Sequence, residues 1–163
     1  MASFDWSSPW SAGGQTAALA VFLSVEAPRL MPDVKILALK QAARSFYRSI
    51  ANPTSGGYFI GKTPSHDMLV NGAMKVLTAL DWLGEEIHYP TQLIDATLHK
   101  LPRPAGCNMV DAVYVLYRCA LQTNYRRAAI KVYLQECLCM ISQHTRADGG
   151  FSYHINRSQK WYY

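Results

Sequence analysis

The residues best suited to chemistry stand at the starts of two apolar, helix-patterned stretches. Ser65, His66 and Asp67 are consecutive, and Asn71 follows Asp67 by one helical turn, so Asp67 and Asn71 share a face and can project together into a cavity. A histidine beside a carboxylate suits proton transfer, because neither group needs a large pKa shift to exchange a proton near neutral pH. The same residues have a plainer use. Ser65, His66 and Asp67 can cap the helix and favour its positive end. The second group is Asn108, Asp111 and Tyr114, in which Asn108 and Asp111 have capping-box spacing. When the two stretches are superposed Asn71 falls on Asp111, and two polar residues at one position of otherwise apolar helices suggest a polar cavity lining. His66, Asp67, Asn71 and Asp111 are therefore the candidate catalytic residues, with a cap and solvent exposure as the other reading.

Other polar groups offer less. Asp148, Tyr153 and His154 cluster near the end of the chain, where Asp148 is expected to fix its own turn through an Asx bond. His88, His99 and His144 lie near helix ends without the spacing of a helical metal site. No metal or cofactor is expected. Gly-x-Ser-x-Gly, the phosphate loop and the dinucleotide fingerprint are all missing, so hydrolase, nucleotidase and dehydrogenase readings have no support.

The elements that carry these residues follow from proline placement and apolar spacing. Pro9, Pro28, Pro32, Pro53, Pro64, Pro90, Pro102 and Pro104 separate segments with apolar residues at three-four spacing. Helices are predicted over Thr16 to Glu26, Val34 to Ile50, His66 to Leu83, Thr91 to Leu101, Met109 to Thr123 and Tyr125 to Thr145, with no convincing strand. In the third, Leu69, Ala73, Val76, Leu77 and Leu80 form one stripe, and Gly84 is a plausible stop. Trp82 and Met74 are expected in the core.

Small-residue pairs recur at nearly even intervals, at Gly13-Gly14, Gly56-Gly57, Ala105-Gly106 and Gly149-Gly150. Each is predicted to be a turn followed by a helix, which defines a helical-hairpin repeat. One constant shift places Val70, Val76, Ala79 and Leu80 on Val110, Leu116, Cys119 and Ala120, and also Ile94 and Leu98 on Leu134 and Leu138. The expected organisation is one domain over residues 1–163, with three hairpins and the opening turn of a fourth. Its aromatic end at Trp161-Tyr162-Tyr163 suggests an N-terminal portion of a longer array, or a chain that buries this end in a dimer.

The stretch Gln143-His-Thr-Arg-Ala-Asp148-Gly149-Gly150-Phe151 resembles the Gln…Asp-Gly-Gly-aromatic turn of the α/α-toroid proteins, which include terpenoid and squalene cyclases and protein prenyltransferase β subunits. Gly56-Gly57-Tyr58-Phe59 is similar to a second, degenerate copy, and Trp10-Ser11-Ala12-Gly13-Gly14 to a looser one. The resemblance implies an all-α fold of helical hairpins forming part of an α/α toroid, in which inner helices point their N-terminal ends at a central cavity. It also implies a cyclase-like or transferase-like activity on an apolar or isoprenoid substrate. The cyclases' Asp-x-Asp-Asp does not occur, and neither does the Asp-x-Cys of the prenyltransferase zinc site.

Composition limits the remaining classes. The 163 residues are 50% hydrophobic and only 17% charged, against roughly a quarter charged in an average soluble protein, so some apolar surface is expected to face a pocket or a partner. No apolar run approaches the roughly 20 residues needed to span a bilayer. Met1 to Thr16 contains Asp5 and no basic residue, unlike a secretory leader, and Cys107, Cys119, Cys137 and Cys139 lie among apolar residues, so a cytoplasmic chain with reduced core thiols is expected. The net charge of +5 concentrates around Lys40, Arg44 and Arg48, which share one helical face. That stripe is either a solvated outer face or the docking site of a non-catalytic scaffold for an acidic protein or other anion; nucleic acid is not expected, since no aromatic ladder accompanies it.

Overall fold

In a computed structural model, which describes residues 1–104 and 107–157, the chain forms six α-helices among those residues. They are α1 (Pro9–Val25), α2 (Asp33–Ile50), α3 (His66–Leu83), α4 (Pro90–Leu98), α5 (Asn108–Ala120) and α6 (Arg127–Ser142), with a short 3-10 turn at Ala27–Arg29. The described residues contain no strand, only isolated bridges such as Ala51 with Tyr58 and Thr145 with Phe151. The all-helical expectation is therefore met, and α3 spans the predicted residues. Prolines start α1 and α4, where the missing N–H costs nothing, and Gly84 ends α3 in the left-handed conformation (φ 68°).

The helices pack in a definite order. α1, α3 and α5 lie side by side with α3 in the middle, and α2, α4 and α6 each contact the helix that precedes them. Because α3 is covered from both sides, Ala73, Val76, Leu77, Ala79 and Leu80 are fully buried. Each large apolar side chain sequestered this way contributes about 1.5–3 kcal/mol. α1 is apolar all round, although only Pro9, Ala12, Gly13, Thr16, Ala17, Ala20 and Leu23 are buried.

Several expectations are corrected. Gly13-Gly14 is not a turn, because α1 begins at Pro9 and runs through it. Gly13 serves packing instead: a Cβ there would lie 2.9 Å from Lys75 Cβ and 3.3 Å from the Gly72 carbonyl oxygen, so the glycine lets α1 approach α3 closely. Trp82 is not core but 46% exposed, since it lies outside the stripe that α3 turns inward. Met74 packs against the core while only partly buried. Of the cysteines, Cys119 and Cys137 are buried as expected, whereas Cys107 and Cys139 are exposed. The expected turn at Ala105-Gly106 and the aromatic end at Trp161-Tyr162-Tyr163 lie outside the described residues.

The other two glycine pairs do form turns, and they share one pattern. After α2, Asn52 N–H donates to the Gly57 carbonyl, Gly56 N–H to the Asn52 carbonyl, and Phe59 N–H to the Ile50 carbonyl. After α6, Arg146 N–H donates to Gly150, Gly149 N–H to Arg146, and Ser152 N–H to His144. Gly56 and Gly149 both have positive φ, at 71° and 82°. The Asx bond expected of Asp148 is present, with Gly150 N–H donating to its Oδ1 at 3.0 Å. The first turn is packed, since a Cβ on Gly57 would lie 2.9 Å from Leu69 Cγ, and Tyr58 is buried. The second is open, and its Phe151 is exposed.

Candidate functional site

The N-terminal turns of α3 and α5 meet beside the start of α1. There a cleft of about 580 Å³ is lined by Trp10, Asp67, Met68, Asn71, Lys100 and Arg103, among others. His66 lies between two of its lining residues, Ser65 and Asp67. Its Nε2 lies 3.1 Å from the Ala96 carbonyl, to which it donates, and its Nδ1 lies 3.5 Å from Asp67 Oδ1.

Asp67 has a stronger partner. Arg103 Nε pairs with its Oδ2 at 2.6 Å. Ser65 occupies the N-cap position of α3 without making a side-chain capping bond, and Asp67 lies in the first turn, where its charge opposes the helix dipole favourably. Asn71 Nδ2 donates to Asn108 Oδ1 at 2.7 Å and so ties α3 to α5. The expected Asn108–Asp111 capping box is not formed: Cys107 is the N-cap of α5, with no side-chain capping bond, and Asp111 N–H bonds the Cys107 carbonyl.

Asp111 is the most unusual group of the set. It is 1% exposed, on a helix whose buried side is otherwise apolar, and its Oδ2 has no hydrogen-bond partner. Burial pushes its pKa up to about 6, opposed by the nearby Lys75 ammonium. Lys75 in turn lies 5.6 Å from the centroid of the Trp10 ring. Trp10, Lys75 and Asp111 thus link α1, α3 and α5 through a cation that serves an aromatic face and a buried acid.

Asp67 and Asn71 come together in the lining of the cleft and His66 contacts Asp67, while Asp111 is buried and does not belong to that lining. Tyr114 is drawn elsewhere, since its hydroxyl accepts from Arg118, which also pairs with Asp81 at 2.6 Å. Tyr153 and His154 stack edge to face at 4.7 Å near the second turn. Sequence reasoning missed Trp10, Lys75, Lys100 and Arg103. Arg103 had a legible signal, because Pro102 and Pro104 flank it and hold that stretch extended.

The basic stripe is not a uniform docking face. Arg44 donates to the Leu83 carbonyl at the end of α3 and pairs with Glu85 at 2.8 Å, so it belongs to the packing between α2 and α3. Arg48 is exposed and Lys40 partly so. Among the described residues no group of three or more His, Cys, Asp or Glu side chains is placed to hold a metal, and no helix is long and apolar enough to cross a membrane. No protein-family model matches the chain, and no curated protein or solved structure does so either.

Proposed function

We propose that the chain is part of an α/α-toroid enzyme, cyclase-like or transferase-like, that acts on an apolar or isoprenoid substrate and uses Asp111 for proton transfer. Asp111 carries the reading. A carboxylate buried with an unpartnered oxygen costs stability, and such groups concentrate where chemistry requires them. With a pKa near 6 it holds both protonation states close to neutral pH. His66, Asp67 and Asn71 supply the polar mouth in this reading, with Lys100 there to meet an anionic head group while Arg103 holds Asp67.

The toroid arrangement draws support from the side-by-side packing of α1, α3 and α5 and from the two turns with matching hydrogen bonds. The scaffold alternative, docking an acidic partner through Lys40, Arg44 and Arg48, is weakened by the internal commitments of Arg44. The test is turnover of prenyl diphosphates and polyenes by the wild-type chain and by Asp111→Asn. Turnover that falls about a hundredfold or more in the variant supports the reading. Absence of turnover with both substrate classes, or an Asp111→Asn variant as active as wild type, overturns it.

A further inference from the structure

We infer that the open groove between α5 and α6 is a docking surface for a second copy of this chain, which it receives by the outer face of α1. The groove comprises two adjoining hollows of about 680 and 550 Å³ that share Tyr117, Leu134 and Leu138. Its walls are almost wholly apolar, and Val110 and Ile130 extend them.

The register of the α3/α4 pair on the α5/α6 pair identifies the kind of element that fits. Leu69, Gly72, Val76 and Ala79 of α3 and Leu93 and Thr97 of α4 correspond to Met109, Ala112, Leu116 and Cys119 of α5 and Tyr133 and Cys137 of α6, and all twelve are buried. The remaining apolar positions split. Val70 is 2% exposed and its counterpart Val110 59%; Leu77 is 0% exposed and its counterpart Tyr117 56%. Ile94 and Leu98 are likewise less exposed than Leu134 and Leu138. The α3/α4 positions are covered because α5 and α6 pack there. The equivalent α5/α6 positions form the groove because, among the described residues, no helix pair packs on them. The groove therefore continues an interface that the chain already uses, and its complement is another helix pair of the same design.

The chain carries such a pair with its outer side free. Leu19, Phe22 and Val25 stand 40%, 37% and 42% exposed along one face of α1. Charge agrees with the docking. Buried Ile36, Ala43 and Ile50 of α2 correspond one for one to buried Ile130 and Cys137 of α6 and His144 just past its end, which makes exposed Asp33 the counterpart of exposed Arg127. A second copy whose α1/α2 pair stacks next to α5/α6 sets these opposite charges at one level. The contact is heterologous, so it closes into a ring or extends as an open stack.

Sedimentation velocity and light scattering on the 163-residue chain test this, with circular dichroism to confirm that each variant stays helical. The wild type is expected to gain mass with concentration. Leu138→Glu on the groove and Phe22→Glu on α1 should each weaken self-association at least about tenfold, a loss of about 1.4 kcal/mol. Mixed, they should form a heterodimer, because one retains the α1 face and the other the groove. A helical wild type that stays monomeric at every concentration overturns the proposal and leaves the groove to a different helix pair. So does a Phe22→Glu variant that associates as well as wild type, since the contact is then groove to groove.

Discussion

Gly72 on α3 lies directly against Pro9 on α1: a Cβ at Gly72 would stand 2.7 Å from Pro9 Cβ and 3.0 Å from its carbonyl carbon. Neither a proline ring nor backbone can yield cheaply, so the closeness of α1 and α3 depends on the missing side chain. Gly72→Ala is expected to lower stability by about 1–3 kcal/mol through overpacking. Gly14, within α1, has nothing within 4 Å of its ideal Cβ. There the substitution to Ala removes only unfolded-chain freedom, and should raise stability by about 0.5–1 kcal/mol. Urea unfolding of the two variants checks the pair, and equal effects would contradict the packing.

Arg44 provides a second contrast. Its guanidinium satisfies the Leu83 carbonyl at the end of α3 and pairs with Glu85. Arg44→Met retains the apolar stem but leaves that carbonyl without its side-chain donor, at a cost of about 1–3 kcal/mol. Arg48→Ala, one turn away and exposed, should change stability by less than about 0.5 kcal/mol. A thermal-melt comparison that ranks them the other way would restore the stripe as a simple surface feature.

These residues also mark how far the sequence can be read. The helices were legible because prolines and three-four apolar spacing agree, and α3 begins at His66 and ends at Leu83 as predicted. Gly13-Gly14 was misread because a glycine pair signals either a turn or a close helix contact, and only the position of α3 against Lys75 and Gly72 distinguishes them. Asp67 and Asn71, one turn apart on α3, share a face that the sequence shows, and both line the cleft. The partners Arg103 and Asn108 come from distant chain segments, which no local spacing reveals. Asp111 was expected on the same cavity lining as Asn71, yet it is buried in an apolar contact, and its unpartnered oxygen depends on tertiary packing alone.

Tyr58 ties the first glycine turn to the α3–α4 connection. His88 N–H lies 3.4 Å from the phenol oxygen and donates to it, and the phenol lies 3.1 Å from His88 Nδ1. Burial raises the Tyr58 pKa and lowers that of His88, so the phenol keeps its proton and donates it to a neutral ring. Tyr58→Phe should cost about 1 kcal/mol and raise the His88 pKa toward its ordinary value as the ring gains access to water. Proton titration of His88 by NMR measures the shift, and an unchanged midpoint would show that the phenol does not control the ring.

Asp111 gives the chain a pH dependence whose direction is fixed by the sign of its shift. Its ordinary value is 3.8 and burial pushes it to about 6, so between those values the native state holds a proton that the unfolded chain has released. Its contribution is therefore complete below about pH 4 and is lost as pH rises through about 6, a change of roughly 1–3 kcal/mol. His88 works in the opposite sense, because its lowered pKa makes protonation of the folded chain unfavourable as pH falls. Neither residue can be read from the wild-type curve alone. The informative quantity is the difference between wild type and Asp111→Asn in urea unfolding across this range. The variant should gain stability relative to wild type as pH rises from about 4 to neutrality, because it replaces a buried charge with a neutral amide of similar shape. A difference that stays constant with pH would mean that the Asp111 carboxyl reaches water, and the argument for its role as a proton-transfer residue would fail with it.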